Sequence, residues 1–223
     1  MYRVAAILIL AVFSVLPLQL RADDDRVCAP FRDGVVDNAL VSKMLEAAKD
    51  GHLYRIRSTN SRIGFCVDSL IGTVEAEFHG FRGGLALRHE VWGDASQMMV
   101  MIDADSLDTD ASFIENMLKS ERFFNAGKFP KILFVSGGLV WDSDTTASLF
   151  GNLSMHGVTR PVLFRVELTN VIGDRAMHEQ EIIVTATAHI RRSDFGMDAL
   201  SMVVSDWVKL CMRVDALRYE KPF

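Results

Sequence analysis

The chain has 223 residues, 49% of them apolar, and a formal charge of −5 at neutral pH. This length and composition allow one domain with a sizeable core, as in many all-β barrels. An acidic balance argues against binding to nucleic acid or to an anionic membrane surface.

The first 22 residues have the pattern of a secretory signal peptide. A basic start at Tyr2-Arg3 precedes an apolar run, Val4–Leu16, and Ala22 ends the segment before three aspartates. An uncleaved membrane anchor is the alternative, but the run is shorter than the roughly 20 residues that a span needs. Pro17 also interrupts it. We therefore predict cleavage after Ala22 and a periplasmic or secreted protein without stable membrane insertion.

Residues 23–52 form an N-terminal extension with one predicted helix. The segment Val36–Lys49 carries a stripe of apolar residues at helical spacing, and Gly51 supplies the stop. The stripe consists of Leu40, Val41, Met44, Leu45 and Ala48. Such a stripe needs a second surface against which to pack.

From residue 53 to residue 218 the pattern changes to the period of two that is typical of β-strands. The predicted strands are Tyr54–Ile56, Ile63–Val67, Thr73–Phe78, Gly84–Arg88, Met98–Ala104, Ile132–Ser136, Ala147–Met155, Val162–Leu168, Ile182–Ile190 and Trp207–Leu217. A short helix is predicted in the connection before Pro130, and a turn at His156-Gly157. We expect an antiparallel all-β meander that closes into a barrel.

The alternation also assigns the two faces of the strands. Apolar residues expected inside the barrel are Phe65, Phe78, Phe81, Val100, Ile102, Phe134, Leu153, Phe164, Val166, Ile190, Leu210 and Met212. A barrel of this size is either filled by side chains or holds a ligand, and periodicity alone favours the filled core.

Four apolar residues fall on the outer face and form what we call the outer apolar patch: Met99, Met101, Leu133 and Val135. An exposed apolar patch of this size is unusual on a soluble monomer. We predict that the helix around Leu40 and Met44 covers it, and a homodimer interface is the alternative.

Three cysteines are present, Cys28, Cys66 and Cys211. Export permits a disulfide, and an odd count leaves one thiol over. Cys66 and Cys211 are expected to face outward on strands that become neighbours when the barrel closes. The predicted disulfide is therefore Cys66–Cys211, with a bond from Cys28 to either of them as the alternative.

The chain lacks a convincing catalytic or metal-binding pattern. The acidic run Asp103–Asp110 lacks the glycine and the closing glutamate of a calcium loop. Glu75, Glu77 and His79 share one strand face, but a metal site would need further ligands from other strands. We predict no enzyme activity, no catalytic residue and no metal site.

Several motifs occur in a characteristic order between Leu53 and about Leu217. They are Gly72-x-Val74, Ser106-Leu107-Asp108-Thr109, Lys128-Phe129-Pro130, the stretch Gly151–Val162, and Arg192-x-Asp194-Phe195-Gly196-Met197. In this order they resemble the YceI family of polyisoprenoid-binding proteins. The resemblance implies an eight-stranded lipocalin-like β-barrel over residues 53–218, with a long apolar tunnel. It also implies a polyisoprenoid or quinone-like lipid as ligand, and no other cofactor.

The inward alternation and the resemblance together predict the ligand-binding residues. They are Phe65, Phe78, Phe81, Phe134, Leu153, Phe164, Arg192, Phe195 and Met212. Arg192 is either a contact to the ligand head group or part of a structural ion pair within its loop. Many family members carry Arg-Asp-x-His-Leu where this chain has Ile114–Leu118, so a contact that depends on those basic residues is unavailable here.

The resemblance favours an exported carrier or reservoir of a long-chain lipid. The alternative is a ligand-free barrel that acts as a protein-interaction or envelope-stress module through the outer apolar patch. The volume of the tunnel distinguishes these two functions.

Overall fold

In the computed structural model, the described residues are 53–86, 97–143, 145–169 and 180–219, together with Ser42 and Glu46. They form β1 (Leu53–Ile56), β2 (Arg62–Ser69), β3 (Gly72–Phe78), β4 (Phe81–Ala86), β5 (Gln97–Asp103), β6 (Leu107–Asp108), α1 (Ser112–Lys119), β7 (Lys131–Trp141), β8 (Thr146–Met155), β9 (Val158–Leu168), β10 (Glu181–Arg191) and β11 (Val204–Arg218). Ser42 and Glu46 are helical and exposed. The rest of the predicted N-terminal helix, with Leu40 and Met44, lies outside the described residues, as do the predicted signal peptide and Cys28.

The strands close into a ring, which confirms the predicted barrel. Eight strands follow one another around it in the order β1-β4-β5-β7-β8-β9-β10-β11, and β11 pairs back to β1. Every one of these pairings is antiparallel. The remaining strands β2, β3 and β6 extend the wall beyond β11 on one side. Among the described residues, no helix is long and apolar enough to cross a membrane.

Strand β11 joins the two ends of the sheet. Its 15 residues pair with β10 along most of their length, with β2 in the middle and with β1 at the end. The strand that pairs with β11 changes from β2 to β1 at a short 3-10 helix, Ser58–Asn60. Here Asp215 of β11 accepts a hydrogen bond from Arg57 Nε at 2.9 Å and one from Asn60 at 3.2 Å. These contacts replace the ladder hydrogen bonds that the helix interrupts.

The turn between β8 and β9 consists of His156 and Gly157, as predicted. Both have positive φ angles, 52° and 76°, which is the requirement of a type I′ hairpin turn. A Cβ at residue 157 would lie 2.7 Å from the Phe129 ring, so glycine is also required sterically. Strand β9 begins at Val158 rather than near Pro161. Pro161 has no N–H to donate to a ladder. It is tolerated inside β9 because the β9–β10 ladder covers only Arg165–Leu168.

The outer apolar patch lies where the alternation predicts. Leu133 and Val135 form a second cluster, separate from the barrel core, with Met99 and Met101 packed against it. Although they face outward, Leu133 is only 6% exposed and Val135 only 2%. The centre of the patch is therefore buried, whereas the segment around Leu40, which we predicted to cover it, is outside the described residues.

The two described cysteines occupy neighbouring strands and the same outer face, as expected. Cys66 of β2 lies opposite Lys209, and Cys211 of β11 lies opposite Gly64. Both thiols are free in the structure, so it does not contain the predicted Cys66–Cys211 bond. The reason is the register: diagonal neighbours are about 7–8 Å apart at their Cα atoms, beyond the usual span of about 4.4–6.8 Å for a disulfide.

The pKa of the Cys66 thiol is raised, first by burial and then by the nearby Cys211. Because the thiolate is the nucleophile, we expect iodoacetamide to alkylate folded Cys66 with a pH midpoint above that of the same residue in urea. Peptide mass spectrometry after timed alkylation would measure both midpoints. Equal midpoints in the folded and unfolded protein would contradict the expectation.

Candidate functional site

The upper half of the barrel, between α1 and mid-height, contains a cavity of about 120 Å³, which we call the upper chamber. Side chains from strands far apart in the sequence meet here because the inward positions of every strand point to one axis. The apolar wall includes Phe65 and Val67 from β2, Phe134 from β7, Leu153 from β8 and Phe164 from β9. Among the lining residues that the structure describes, Arg192 is the only charged one.

Helix α1 and the loop after it border this chamber. Ile114, Met117 and Leu118 recur at the spacing of one helical face and line the cavity. On the same helix, Lys119 Nζ and Glu115 Oε1 form an ion pair at 2.7 Å. Ile114 and Met117 occupy the arginine and histidine positions of the family motif, so this border is apolar in the present chain.

A cluster of three aromatic rings closes the wall beside the helix. Phe124, in the loop after α1, lies with its ring centroid 5.7 Å from that of Phe65 and 5.7 Å from that of Phe78. The Phe65 and Phe78 centroids are 6.2 Å apart. The backbone N–H of Phe124 donates to the Leu118 carbonyl at 2.9 Å, which holds the loop against the end of the helix.

A second, smaller cavity of about 50 Å³ occupies the lower half of the barrel, and we call it the lower chamber. Its wall contains Leu149 of β8, Val166 of β9, Val184 of β10 and Val214 of β11. Each of these residues lies on the inward face, further from α1 than the upper-chamber residues of the same strands. Met212 lines both chambers.

Arg192 lies at the end of β10 and is only 4% exposed. Four of its five N–H groups donate to backbone carbonyls, two of them in the loop that precedes β11 and two in the first residues of β11 itself. Nε donates to Ser205 at 2.9 Å, Nη1 to Met197 and Ala199 at 2.6 Å each, and Nη2 to Val204 at 3.2 Å. Its partners are thus carbonyl oxygens rather than the carboxylate of the ion pair that the sequence suggested. Arg192 shapes the loop at this end of the chamber.

The same loop is held by Asp206. Its carboxylate accepts hydrogen bonds from the Ser193 backbone N–H at 2.9 Å and from the Ser193 hydroxyl at 2.7 Å. Burial alone would raise the pKa of Asp206, but these two bonds and the charges of Arg192 and Arg191 outweigh it, so the pKa is lowered. The carboxylate therefore stays ionised and bonded at neutral pH.

The β8–β9 turn is attached to this loop by one hydrogen bond. His156 Nδ1 donates to the Phe195 carbonyl at 2.9 Å, and the His156 ring stands edge-on to Phe129 with centroids 5.2 Å apart. This bond joins the turn before β9 to the segment after β10, at a level that the β9–β10 ladder does not reach.

Seven of the nine predicted ligand-binding residues line the upper chamber: Phe65, Phe78, Phe134, Leu153, Phe164, Arg192 and Met212. Phe81 and Phe195 do not. Phe81 packs against the core from the start of β4, opposite Ile102. Phe195 is 1% exposed and belongs to a 3-10 helix, Arg192–Phe195, so it supports the loop instead of the wall.

Several wall residues were missing from the sequence prediction. Those from outside the strands are Ile114, Met117, Leu118, Phe123, Phe124 and Met197. The helical spacing of the first three was visible in the sequence and would have identified them as a buried face. Phe123, Phe124 and Met197 belong to loops, where no periodicity indicates the direction of a side chain.

A closed antiparallel barrel around an apolar cavity places this protein among the lipocalin-like barrels. A family model described as the YceI-like domain matches residues 54–216, and the chain belongs to this family. A UPF0312 protein of Yersinia enterocolitica is 30% identical over 129 residues, which are 56% of this chain and 64% of the relative. The chain thus spans less than two thirds of that relative.

Two solved structures share the fold. BcnA of Burkholderia cenocepacia has a TM-score of 0.64 at 16% identity, covering 72% of this chain and 98% of its own. A polyisoprenoid binding domain from Saccharophagus degradans, implicated in plant cell wall breakdown, has a TM-score of 0.57 at 13% identity. It covers 74% of this chain and 98% of its own.

Proposed function

We propose that this protein is an exported carrier or reservoir that holds a polyisoprenoid or a similar long-chain amphiphile inside its barrel. The observation that carries the proposal is the upper chamber, whose wall is apolar except for Arg192. That arginine already donates to four backbone carbonyls, so the wall offers shape and apolar surface rather than polar recognition. A linear hydrocarbon chain is the chemistry that such a wall accommodates best.

The energetics favour an extended chain. Each buried methylene contributes roughly 0.8 kcal/mol before ordering costs, so affinity grows with the length of chain inside. The upper chamber, at about 120 Å³, is close to the ~150 Å³ engineered cavity that binds benzene. About one isoprene unit fits without movement of the wall, and a longer ligand must displace side chains.

Two further observations support the proposal. The Saccharophagus domain with the same fold is described as polyisoprenoid-binding. The signal-peptide pattern of residues 1–22 supports export. A lipid that crosses the aqueous compartment outside the cytoplasm needs an apolar container. The apolar border at Ile114 and Met117 indicates a ligand held by its chain more than by its head group.

Native mass spectrometry of the protein from an oxidising periplasm, followed by solvent extraction, tests this function. We expect a stoichiometric adduct that extracts as a prenyl or acyl lipid, on a chain that lacks residues 1–22. The matched variants are Leu153→Gln, inside the chamber, and Ser154→Gln, on the opposite face of the same strand. Leu153→Gln should lose the adduct, and Ser154→Gln should keep it.

A bare mass that stays bare after incubation with quinones and polyprenols would reject the lipid carrier. Melting curves of both variants distinguish lost binding from lost folding. The interaction-module alternative would then gain support, although Leu133 and Val135, at the centre of the outer apolar patch, are already buried.

A further inference from the structure

The two chambers of the barrel are separated by one layer of side chains at mid-height. On β5 and β9, one inward residue lines the upper chamber and the next lines the lower one: Val100 and Met98 on β5, Phe164 and Val166 on β9. On β8, Gly151 stands between Leu153 of the upper chamber and Leu149 of the lower one. On β11 the sequence of inward residues is Leu210, Met212 and Val214. Met212, the middle one, contributes to the walls of both chambers.

Most of this layer is fixed in place. The Phe134 ring rests on the backbone of Gly151, where a Cβ would lie 2.6 Å from the ring. Phe134 also meets Phe164 edge to face, with ring centroids 5.0 Å apart. Two aromatic rings in contact with each other and with backbone have little room for another rotamer.

Met212 differs from these rings in its chemistry. Its side chain is unbranched, with three rotatable bonds, and such a chain adapts to irregular space at low cost. It also borders empty volume on both sides, about 120 Å³ above and about 50 Å³ below. The thioether therefore has empty volume beside it in both chambers.

We propose that Met212 is a movable partition that determines how long a chain the barrel accepts. This inference rests on the proposed function, since it assumes an apolar chain as ligand. A short chain occupies the upper chamber with Met212 in place. A longer chain turns Met212 aside and continues into the lower chamber, between Val166, Val184 and Val214.

The test compares variants of Met212 in binding to linear prenyl alcohols of increasing length, from prenol, which is one isoprene unit, through farnesol and geranylgeraniol to solanesol. Met212→Ile has nearly the same volume but is stiff at χ1. Relative to the wild type, we expect its affinity for geranylgeraniol and solanesol to fall about tenfold more than its affinity for prenol. Met212→Ala removes the partition, and its affinity should rise with chain length at least as steeply as that of the wild type.

The matched control is Met155→Ala, because Met155 lines the upper chamber alone. It enlarges that chamber without joining the two. Unlike Met212→Ile, it should therefore not lose affinity for long chains. A second readout is the ¹³C-methyl resonance of Met212, which should shift much more with solanesol than with prenol.

Identical chain-length profiles for the wild type, Met212→Ile and Met212→Ala would overturn the partition and leave lipid binding intact. A Met212 methyl resonance that shifts equally with prenol and solanesol would also overturn it. Failure of the wild type and of every variant to bind any prenyl alcohol would reject the proposed function itself, and the partition with it.

Discussion

Replacing Arg192 with alanine is expected to lower the free energy of unfolding by about 3–5 kcal/mol. The guanidinium donates to the carbonyls of Met197 and Ala199 in the loop before β11. It also donates to those of Val204 and Ser205 at the start of β11. Each carbonyl left buried and unsatisfied costs about 1–3 kcal/mol, and the costs are not additive. Urea denaturation monitored by tryptophan fluorescence measures the change.

Two matched variants isolate the geometry of the guanidinium. Arg192→Lys keeps the charge, but an ammonium group cannot reproduce the planar fork, so we expect it to recover less than half of the loss. Arg191→Ala removes the neighbouring arginine, which is exposed and stacks on Trp207 at 5.0 Å, and it should change stability by less than about 1 kcal/mol. If Arg192→Ala is no less stable than Arg191→Ala, the four hydrogen bonds have no structural importance.

Replacing Gly151 with alanine is the second change with a large expected effect. A Cβ there would lie 2.5 Å from the Val135 carbonyl oxygen and 2.6 Å from the Phe134 ring. Because the first of these atoms is backbone, the methyl group cannot be accommodated by a rotamer change alone. We expect a loss of about 1–3 kcal/mol, as for other overpacked cores, measured by thermal and urea denaturation.

A change at Gly127 serves as the control for this prediction. A Cβ at Gly127 meets nothing within 4 Å, so Gly127→Ala should leave stability nearly unchanged. Adding Phe134→Leu to Gly151→Ala removes the ring that opposes the methyl group and should recover part of the loss. An additive double variant would show that the ring is not the obstacle.

Alternation along the strands was sufficient to predict the fold and most of the chamber wall. Phe134, Leu153 and Phe164 were assigned to the interior because a strand places every second residue on the same face. The alternation gives the face but not the height along the barrel axis. Phe81 is the example: it packs against the core, yet outside the chamber.

The contacts of Arg192 could not be predicted, because they depend on a loop whose conformation is set by tertiary packing. The sequence suggested a ligand head group or an ion pair, and the structure shows backbone carbonyls. The cysteine pair has a similar explanation. Neighbouring strands and a common face were foreseeable, but the register that makes Cys66 and Cys211 diagonal depends on the pairing of β2 with β11.

The pairing of β11 has a consequence for folding kinetics. This strand contacts β10, β2 and β1, so its residues meet partners more than 140 positions earlier in the chain, such as Cys66 opposite Lys209. Closing so long a loop is slow. Until β11 is in place the ring is open and its apolar inner face is exposed to water and to other chains. We therefore expect refolding to pass through an aggregation-prone stage that ends when this strand docks.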